Sequence, residues 1–364
     1  MASPIDGKPI SLLQAGGDNP FASGTFDLNQ NTNSSLYTYD PTNNLIPTNQ
    51  GYTKLSNPNA NFEIGRGYRT WFNLNMFSTG GRGKSKSLSF EGQPFTGDKT
   101  ISLSYCNSNC PYSATNGWNL IGNPFISKIY WEVASDYIQT NVAPTIYTFV
   151  SSNNTWASYL RGVGGVNGAT GFVDPAEGFF VEATGPGASL TIKSDASYTY
   201  WTTEQAPVIN TTIAGKIRAK LIAGNISDEV LVVDNAGKTK AYDVNEDAKK
   251  IFGGSVSLAI ETSGPAQSIA QWAFSAVDTI WMSVSAQQAG TYQFRFETEG
   301  AFDQSLYYLA DPQTGMITPV TAGQDIPLYA DAQARRIAIF VVNQTVSALP
   351  DFLKSDRIAV YPNP

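Results

Sequence analysis

Apolar and polar residues alternate over short stretches of this chain, and clusters of Gly, Asn and Pro separate those stretches. Alternation with a period of two is typical of half-buried β-strands, and regularly spaced turn residues are typical of antiparallel sheets. Only residues 244–252 show a short helical pattern. The fold class is therefore predicted to be all-β, with tandem antiparallel β-sandwich domains of jelly-roll or immunoglobulin-like type. In the second half of the chain the pattern predicts strands at residues 216–222, 229–234, 255–261, 279–285, 290–297, 306–311 and 336–342.

Segments of the first 200 residues recur further along in the same order, with offsets of about 100 to 110 residues. For example, residues 36–39 (LYTY) recur as residues 146–149 (IYTF), and an Asn-rich or Ser/Asn-rich turn follows each. A change of composition at residues 203–207 predicts a short linker. The predicted domains are a β-sandwich region at 1–204, duplicated internally as about 1–105 and 106–204, a second β-sandwich at 205–347, and a linker with the start of a further domain at 348–364.

Composition excludes several classes of function. Lys and Arg number 23 against 30 Asp and Glu, so the net charge is −7, and a chain this acidic is not expected to bind nucleic acid. The absence of histidine excludes Ser-His-Asp and Cys-His catalysis and His-ligated zinc. No apolar run approaches the roughly 20 residues that span a bilayer. We therefore expect no membrane span, no firm metal site, no cofactor and no enzymatic activity.

The two cysteines of the chain, Cys106 and Cys110, lie close together after a predicted strand and before Pro111. In an oxidising compartment this spacing predicts a disulfide that closes a tight loop. A redox pair is the alternative. Thiol redox motifs usually place two residues between the cysteines at the start of a helix, where the helix dipole lowers the thiol pKa, and that context is missing.

Asp243, Asn245 and Asp247 place oxygen atoms at alternating positions, as an EF-hand loop does. Ala248 replaces the turn glycine and Gly254 stands where the bidentate Glu belongs, so the segment is not an EF-hand. One interpretation is a looser Ca²⁺ site. The other is that these residues form the acidic N-terminal end of the short predicted helix, where the macrodipole favours negative charge.

Trp131, Trp156 and Tyr159 are candidates for stacking against a glycan. A β-sandwich also buries alternate aromatic side chains in its core, and these residues follow the periodicity of strands. The sequence therefore leaves a glycan-stacking surface and a core position open for each of them.

Residues 117–125 (GWNLIGNPF), 176–181 (AEGFFV) and 289–292 (AGTY) resemble, in this order, segments of large secreted surface proteins of Bacteroidota. The last residues are similar to the opening of the C-terminal sorting domain that the type IX secretion system reads; they are Tyr361, Pro362, Asn363 and Pro364. The resemblance covers most of residues 60–364.

This resemblance implies export across the outer membrane, followed by attachment to the cell surface or release. The secretion machinery would be one partner, and surface glycans or other surface proteins would be others. Only the first residues of the sorting domain are present, so the signal is expected to be truncated. Asp278-Thr279-Ile280 also resembles the tripeptide at which Bacteroidota O-glycosylate exported proteins, and modification requires Thr279 to reach solvent.

The first functional hypothesis is a non-enzymatic stalk or adhesin-type segment of a secreted, cell-surface cargo protein of the type IX system. The alternative is a carbohydrate-binding accessory region of a secreted polysaccharide-degrading enzyme whose catalytic domain lies outside this chain.

Overall fold

The computed structural model describes most of the chain. The described residues are 1–10, 36–42, 51–55, 57, 60–70, 90–106, 116–198 and 212–343. Within them the chain forms 25 β-strands and no α-helix, which confirms the predicted all-β class. The described elements belong to two compact units, one of Met1–Ile146 with Gly171–Pro207 and one of Tyr147–Thr170 with Val208–Pro364.

The first unit consists of short strands connected by turns. Its strands, numbered along the chain, are β1 (Leu36–Tyr39), β2 (Tyr52–Lys54), β3 (Arg69–Thr70), β4 (Lys99–Ser102), β5 (Trp118–Gly122), β6 (Lys128–Tyr130), β7 (Tyr137–Thr140), the first part of β8 (Val142–Val150), β11 (Phe172–Val173), β12 (Gly178–Ala183), β13 (Ser189–Ile192) and β14 (Ser197–Tyr198).

Four short sheets make up this first unit. Strand β1 lies between β2 and β3, β13 between β4 and β7, and β6 between β11 and β14. Strand β12 pairs with β5 in antiparallel orientation. Buried aromatic side chains fill the interior, among them Trp131, Phe179 and Phe62. Short strands suffice here because each sheet buries one face against these large side chains.

The second unit contains one large sheet and a hairpin from an earlier part of the chain. Its strands are the end of β8, β9 (Thr155–Leu160), β10 (Gly164–Val166), β15 (Ile213–Ala223), β16 (Ile226–Asn235), β17 (Ala248–Lys249), β18 (Val256–Ile260), β19 (Gln267–Trp272), β20 (Val277–Ala286), β21 (Gly290–Gly300), β22 (Leu306–Asp311), β23 (Met316–Val320), β24 (Ile326–Ala330) and β25 (Arg335–Val342).

The large sheet has the order β23-β22-β25-β20-β18-β19-β16-β15-β21-β24, and β17 pairs with β19. It is near-closed and barrel-like, and its inward-facing side chains share one hydrophobic core. Strand β20 shows why: its residues alternate strictly between buried and half-buried, so Ile280, Met282 and Val284 all enter the core. Strands β16 and β19 pair in parallel, whereas the other registered pairs of this sheet are antiparallel.

Two predictions of the sequence analysis need correction. The boundary after Pro207 lies where a linker was predicted, but residues 147–170 belong to the second unit rather than to a region ending at residue 204. The helix predicted at residues 244–252 is wrong. That segment makes one turn, in which Asp247 N–H donates to Asp243 O, and then enters β17, because pairing with β19 satisfies its backbone.

Candidate functional site

A buried ion pair lies in the second unit. Lys250 Nζ is 2.5 Å from Asp228 Oδ1, and the two side chains are only 3% and 2% exposed. Lys250 follows β17, where its backbone N–H donates to Ala266 O at 2.8 Å. Burial lowers the pKa of Lys250, although the neighbouring carboxylates of Asp228 and Glu229 act in the opposite direction.

Both carboxylate oxygens of Asp228 accept further hydrogen bonds. Leu258 N–H donates to Oδ2 at 2.8 Å. Asn167 Nδ2 donates to Oδ1 at 2.9 Å, and Thr155 Oγ1 lies 3.4 Å from the same oxygen. Asp228 therefore connects three separate segments of the second unit. A carboxylate is stable in such an interior only because a cation and several donors compensate for its lost hydration.

The next residue, Glu229, forms a second charged cluster. Its carboxylate is 3.0 Å from Arg218 NH1 and 3.2 Å from Lys220 Nζ, and it accepts a hydrogen bond from Asn167 N at 2.7 Å. In the antiparallel register of β15 and β16, Lys220 lies directly opposite Glu229. Cross-strand pairing of opposite charges stabilises such a ladder.

Residues 147–170 are fastened to the large sheet through these groups, and we call this set of contacts the polar clamp. Besides the Asn167 and Thr155 bonds, Lys216 Nζ donates to Val163 O at 2.7 Å and Arg218 NH1 donates to Gly165 O at 2.8 Å. In these contacts, side chains of the large sheet donate to backbone carbonyls of residues 147–170. Those carbonyls therefore keep hydrogen-bond partners.

The clamp was not predicted, although β15 carries a signal for it in the sequence. Lys216, Arg218 and Lys220 alternate along β15 with Ile217, Ala219 and Leu221, which are buried in the core. Because these three cationic side chains lie on one face of the strand, acidic side chains or carbonyl groups are expected next to them on that face. The pattern could have predicted a charged layer, but not that residues 147–170 would supply half of its partners.

The predicted disulfide involves a residue at the edge of the described part. Cys106 is disulfide-bonded, and the sequence has only one other cysteine, Cys110, which lies outside the described residues. The side chain of Asn116 makes two hydrogen bonds with the backbone of Cys106. Its Oδ1 accepts from Cys106 N at 2.8 Å and its Nδ2 donates to Cys106 O at 3.0 Å.

The acidic segment, for which a loose calcium site was one interpretation, forms the turn before β17. Asp243 Oδ1 accepts the backbone N–H of Asn245 at 2.8 Å. Asp247 is buried; its oxygens accept Asp243 N and Gln271 N, and burial raises its pKa to about 6. No group of three or more acidic or cysteine side chains in the described ranges is arranged to hold a metal ion. In the structure these residues cap the turn before β17.

The three aromatic candidates for glycan stacking separate into two groups. Trp131 is 0% exposed and donates from Nε1 to Pro144 O at 2.7 Å, and Tyr159 is also buried, so both occupy core positions, one of the two alternatives that the sequence left open. Trp156 is half-buried and packs edge-on against Phe149, with ring centroids 5.3 Å apart. Phe149 is 49% exposed and Phe252, beside Gly253, is 55% exposed.

Thr279 lies on the outer face of β20. Asp278 and Ile280 are buried and Thr279 is half-buried, so its side chain is on the face opposite to the core. Lys240 Nζ pairs with the Asp278 carboxylate. The predicted sorting-signal residues Tyr361, Pro362, Asn363 and Pro364 lie outside the described residues.

The motif at residues 117–125 has a structural role in the first unit. Asn123 is fully buried; its Nδ2 donates to the carbonyls of Ser127, Val173 and Asp174, and its Oδ1 accepts from Phe125 N at 2.9 Å. Asn119 likewise exchanges two hydrogen bonds with the backbone of Ser104. Asparagine suits these positions because its amide both donates and accepts.

Two clefts open on the described surface. The larger, in the first unit, has a volume of about 340 Å³ and is lined by β4, β5 and the turn that carries the Glu63–Arg66 pair, whose N–O distance is 2.6 Å. The smaller, in the second unit, is about 190 Å³ and includes Asp234, whose Oδ1 accepts Phe274 N at 3.0 Å. The carboxylates of both clefts already have partners.

None of the helical segments in the described ranges is long and apolar enough to cross a membrane.

Comparison with known proteins identifies a family but not an activity. No curated protein matches the chain. No solved structure matches it either. One family model matches residues 19–324, which include most of both units. The chain therefore belongs to the family described as a domain of unknown function, DUF8693.

Proposed function

We propose that this chain is a non-enzymatic β-sandwich segment of a secreted cell-surface protein, exported by the type IX system of Bacteroidota, in which it serves as a stalk or adhesin scaffold. The observation that carries the proposal is the polar clamp. It fastens residues 147–170 to a sheet formed by residues 213–342 through charged groups that are buried or half-buried.

The polar clamp suits a protein domain that must stay folded when a pulling force acts on it. The chain enters the second unit at Tyr147, leaves it after Thr170 and re-enters at Val208. A pull on the two ends of the chain acts on this unit through residues 147–170 as well as through the large sheet. Several short polar bonds that must break together resist such a pull better than scattered apolar contacts, because hydrogen bonds lose strength steeply with distance.

A force measurement on the whole chain tests the mechanical part of the proposal. Glu229→Gln removes the charge that Arg218 and Lys220 share, and Glu261→Gln makes the same change in an ion pair with Arg336 that is not part of the clamp. In single-molecule pulling from the two termini, we expect Glu229→Gln to lower the unfolding force of the second unit and Glu261→Gln to leave it unchanged. Equal forces for the three proteins would contradict a load-bearing clamp.

Export is tested separately by producing the protein in a Bacteroidota host. The similarity of Tyr361 to Pro364 to a sorting-domain start supports secretion to the cell surface. Intact cells that produce the protein should lose it on treatment with an added protease, whereas a periplasmic marker should survive. Protection of the protein in intact cells would argue against surface display.

A second candidate function is carbohydrate binding. A set of aromatic side chains in the second unit that reach solvent favours it. Phe149, Trp156 and Phe252 are aromatic side chains that reach solvent near Asn154, whose Nδ2 donates to Gly253 O at 3.0 Å. Aromatic faces with neighbouring amides suit sugar rings. On a glycan array, binding lost in Trp156→Ala but kept in Tyr329→Ala, another exposed aromatic of this unit, would favour this candidate. Absence of saturable binding by the unmodified chain would remove it.

A further inference from the structure

Lys250 and Asp228 are in an arrangement that suits a covalent bond as well as an ion pair. Their side chains are the most deeply buried among the described ion pairs, and the nitrogen and oxygen are in direct contact at 2.5 Å. Burying two charges in a protein interior costs free energy that their attraction repays only in part. Converting the pair to a neutral amide removes both charges from the interior.

We propose that Lys250 Nζ and Asp228 Cγ join in an intramolecular isopeptide bond. The ammonium and the carboxylate condense. A bond forms between Nζ and Cγ, the bond between Cγ and Oδ1 breaks, and two protons leave Nζ with Oδ1 as one molecule of water. The side chains supply every atom of the product, and neither an oxidant nor an activating group is consumed.

The surroundings of Asp228 fit the attack of an amine on its carboxyl carbon. Leu258 N–H donates to Oδ2, the oxygen that would carry negative charge in the tetrahedral intermediate and stay as the amide oxygen. Asn167 Nδ2 and Thr155 Oγ1 approach Oδ1, the oxygen that leaves. Donors on both oxygens withdraw electron density from the carbon between them.

Lys250 is suited to act as the nucleophile, since its burial favours the neutral amine. Proximity supplies the remaining drive. Groups held together in a reactive orientation can reach effective concentrations of about 10⁵ to 10⁸ M. A buried site also contains little water to reverse the reaction, which supports the amide over the separated ions.

The product would keep partners for its own polar atoms, although Thr155 Oγ1 and Glu229 N–H would lose Oδ1 as an acceptor. Asn167 Nδ2 would lose it too but would keep its bond to Trp156 O. The amide oxygen would keep its bond from Leu258 N–H. The amide N–H would face Glu229 O, which already lies 3.4 Å from Nζ. The Glu229 carboxylate is paired with Arg218 and Lys220.

The inference goes beyond the proposed function. A stalk can exist without an isopeptide bond, and the same bond could form in a protein with a different function. Its effect would be to close residues 228–250 into a ring, so that β16 and the segment carrying Lys250 could not separate under load or on heating. The ring would join β16 to the segment just after β17.

Mass spectrometry of the whole chain tests the bond. The protein is first shown to be folded by its cooperative unfolding, then reduced, so that the disulfide does not alter the mass, and denatured. The expected mass is that of the sequence minus one molecule of water, in part or all of the sample. Lys250→Arg keeps the positive charge and should show the full sequence mass, whereas Lys249→Arg, the matched neighbour, should still lack one water.

Peptide mapping locates the loss and needs no variant. Trypsin does not cleave after an acylated lysine, so a branched peptide should connect the fragment that contains Asp228 with the one that begins at Lys250. A folded, reduced chain of full sequence mass, with normal cleavage after Lys250, would overturn the proposal. Loss of water elsewhere, for example from a cyclised aspartate, would also overturn it, because no branched peptide would then form.

Discussion

The hydroxyl oxygens of Ser158 and Ser268 lie 2.7 Å apart in the interior of the second unit, although 110 residues separate them along the chain. Ser158 belongs to β9 and Ser268 to β19. Ser268 Oγ also lies within 3.1 Å of Lys249 O, so one hydroxyl connects the hairpin, the large sheet and β17.

We expect Ser268→Ala to lower the free energy of unfolding by about 1–3 kcal/mol, because it leaves buried Ser158 without this partner. The double substitution Ser158→Ala with Ser268→Ala should cost less than the sum of the two single changes, since it removes both polar groups. Urea unfolding of the four proteins gives the coupling energy. Additive effects would show that the two hydroxyls do not interact in solution.

The turn before β17 should make stability depend on pH. Burial raises the pKa of Asp247 to about 6, above the value in the unfolded chain. The folded protein therefore holds a proton that the unfolded chain has lost, and the contribution of Asp247 to stability falls as the pH rises from about 4 to about 6.

Asp247→Asn removes this titration. Its own cost, loss of one acceptor for a backbone N–H, is the same at every pH. The stability of the unmodified protein relative to Asp247→Asn should therefore decrease between pH 4 and pH 6 and stay constant above about pH 7. Urea unfolding at several pH values measures it, and a difference that does not change with pH would contradict the raised pKa.

Asn123→Ala is expected to destabilise the first unit by roughly 2–3 kcal/mol, because four backbone groups would lose their partner in the interior. Gln93→Ala, an exposed position of the same unit, serves as the control and should have little effect. Thermal and urea unfolding followed by circular dichroism report the change. Equal stability of the two variants would mean that Asn123 has no such role.

A fragment that begins at Val208 should be less stable than the second unit in the whole chain. It keeps Asp228 and Lys250 but loses the donors Thr155 and Asn167. Fusion of residues 147–170 ahead of Val208 through a flexible linker should restore stability. The unfolding midpoint in urea compares these proteins, and a fragment as stable without residues 147–170 as with them would contradict the assignment of the hairpin to this unit.

Local pattern alone predicted the strands of the large sheet well. Each of the seven strands predicted in the second half overlaps an observed strand, and β20 shows the alternation that the pattern demands. The prediction succeeds because alternation records which face of a strand is buried, and that information is present within a few consecutive residues. It fails for β19, since all six of its residues are buried and no alternation remains.

The sequence by itself thus determined the all-β class and most strands of the large sheet. Only the tertiary structure decided that residues 147–170 belong to the second unit, that β16 and β19 run in parallel, and that Trp131 is core. It also brought Lys250 to Asp228. The physical reason is that the periodicity of a strand indicates which side chains are buried or must pair. It does not indicate which distant segment of the chain supplies the contact. That choice depends on the path of the whole chain and on the charges that must be paired where water is excluded.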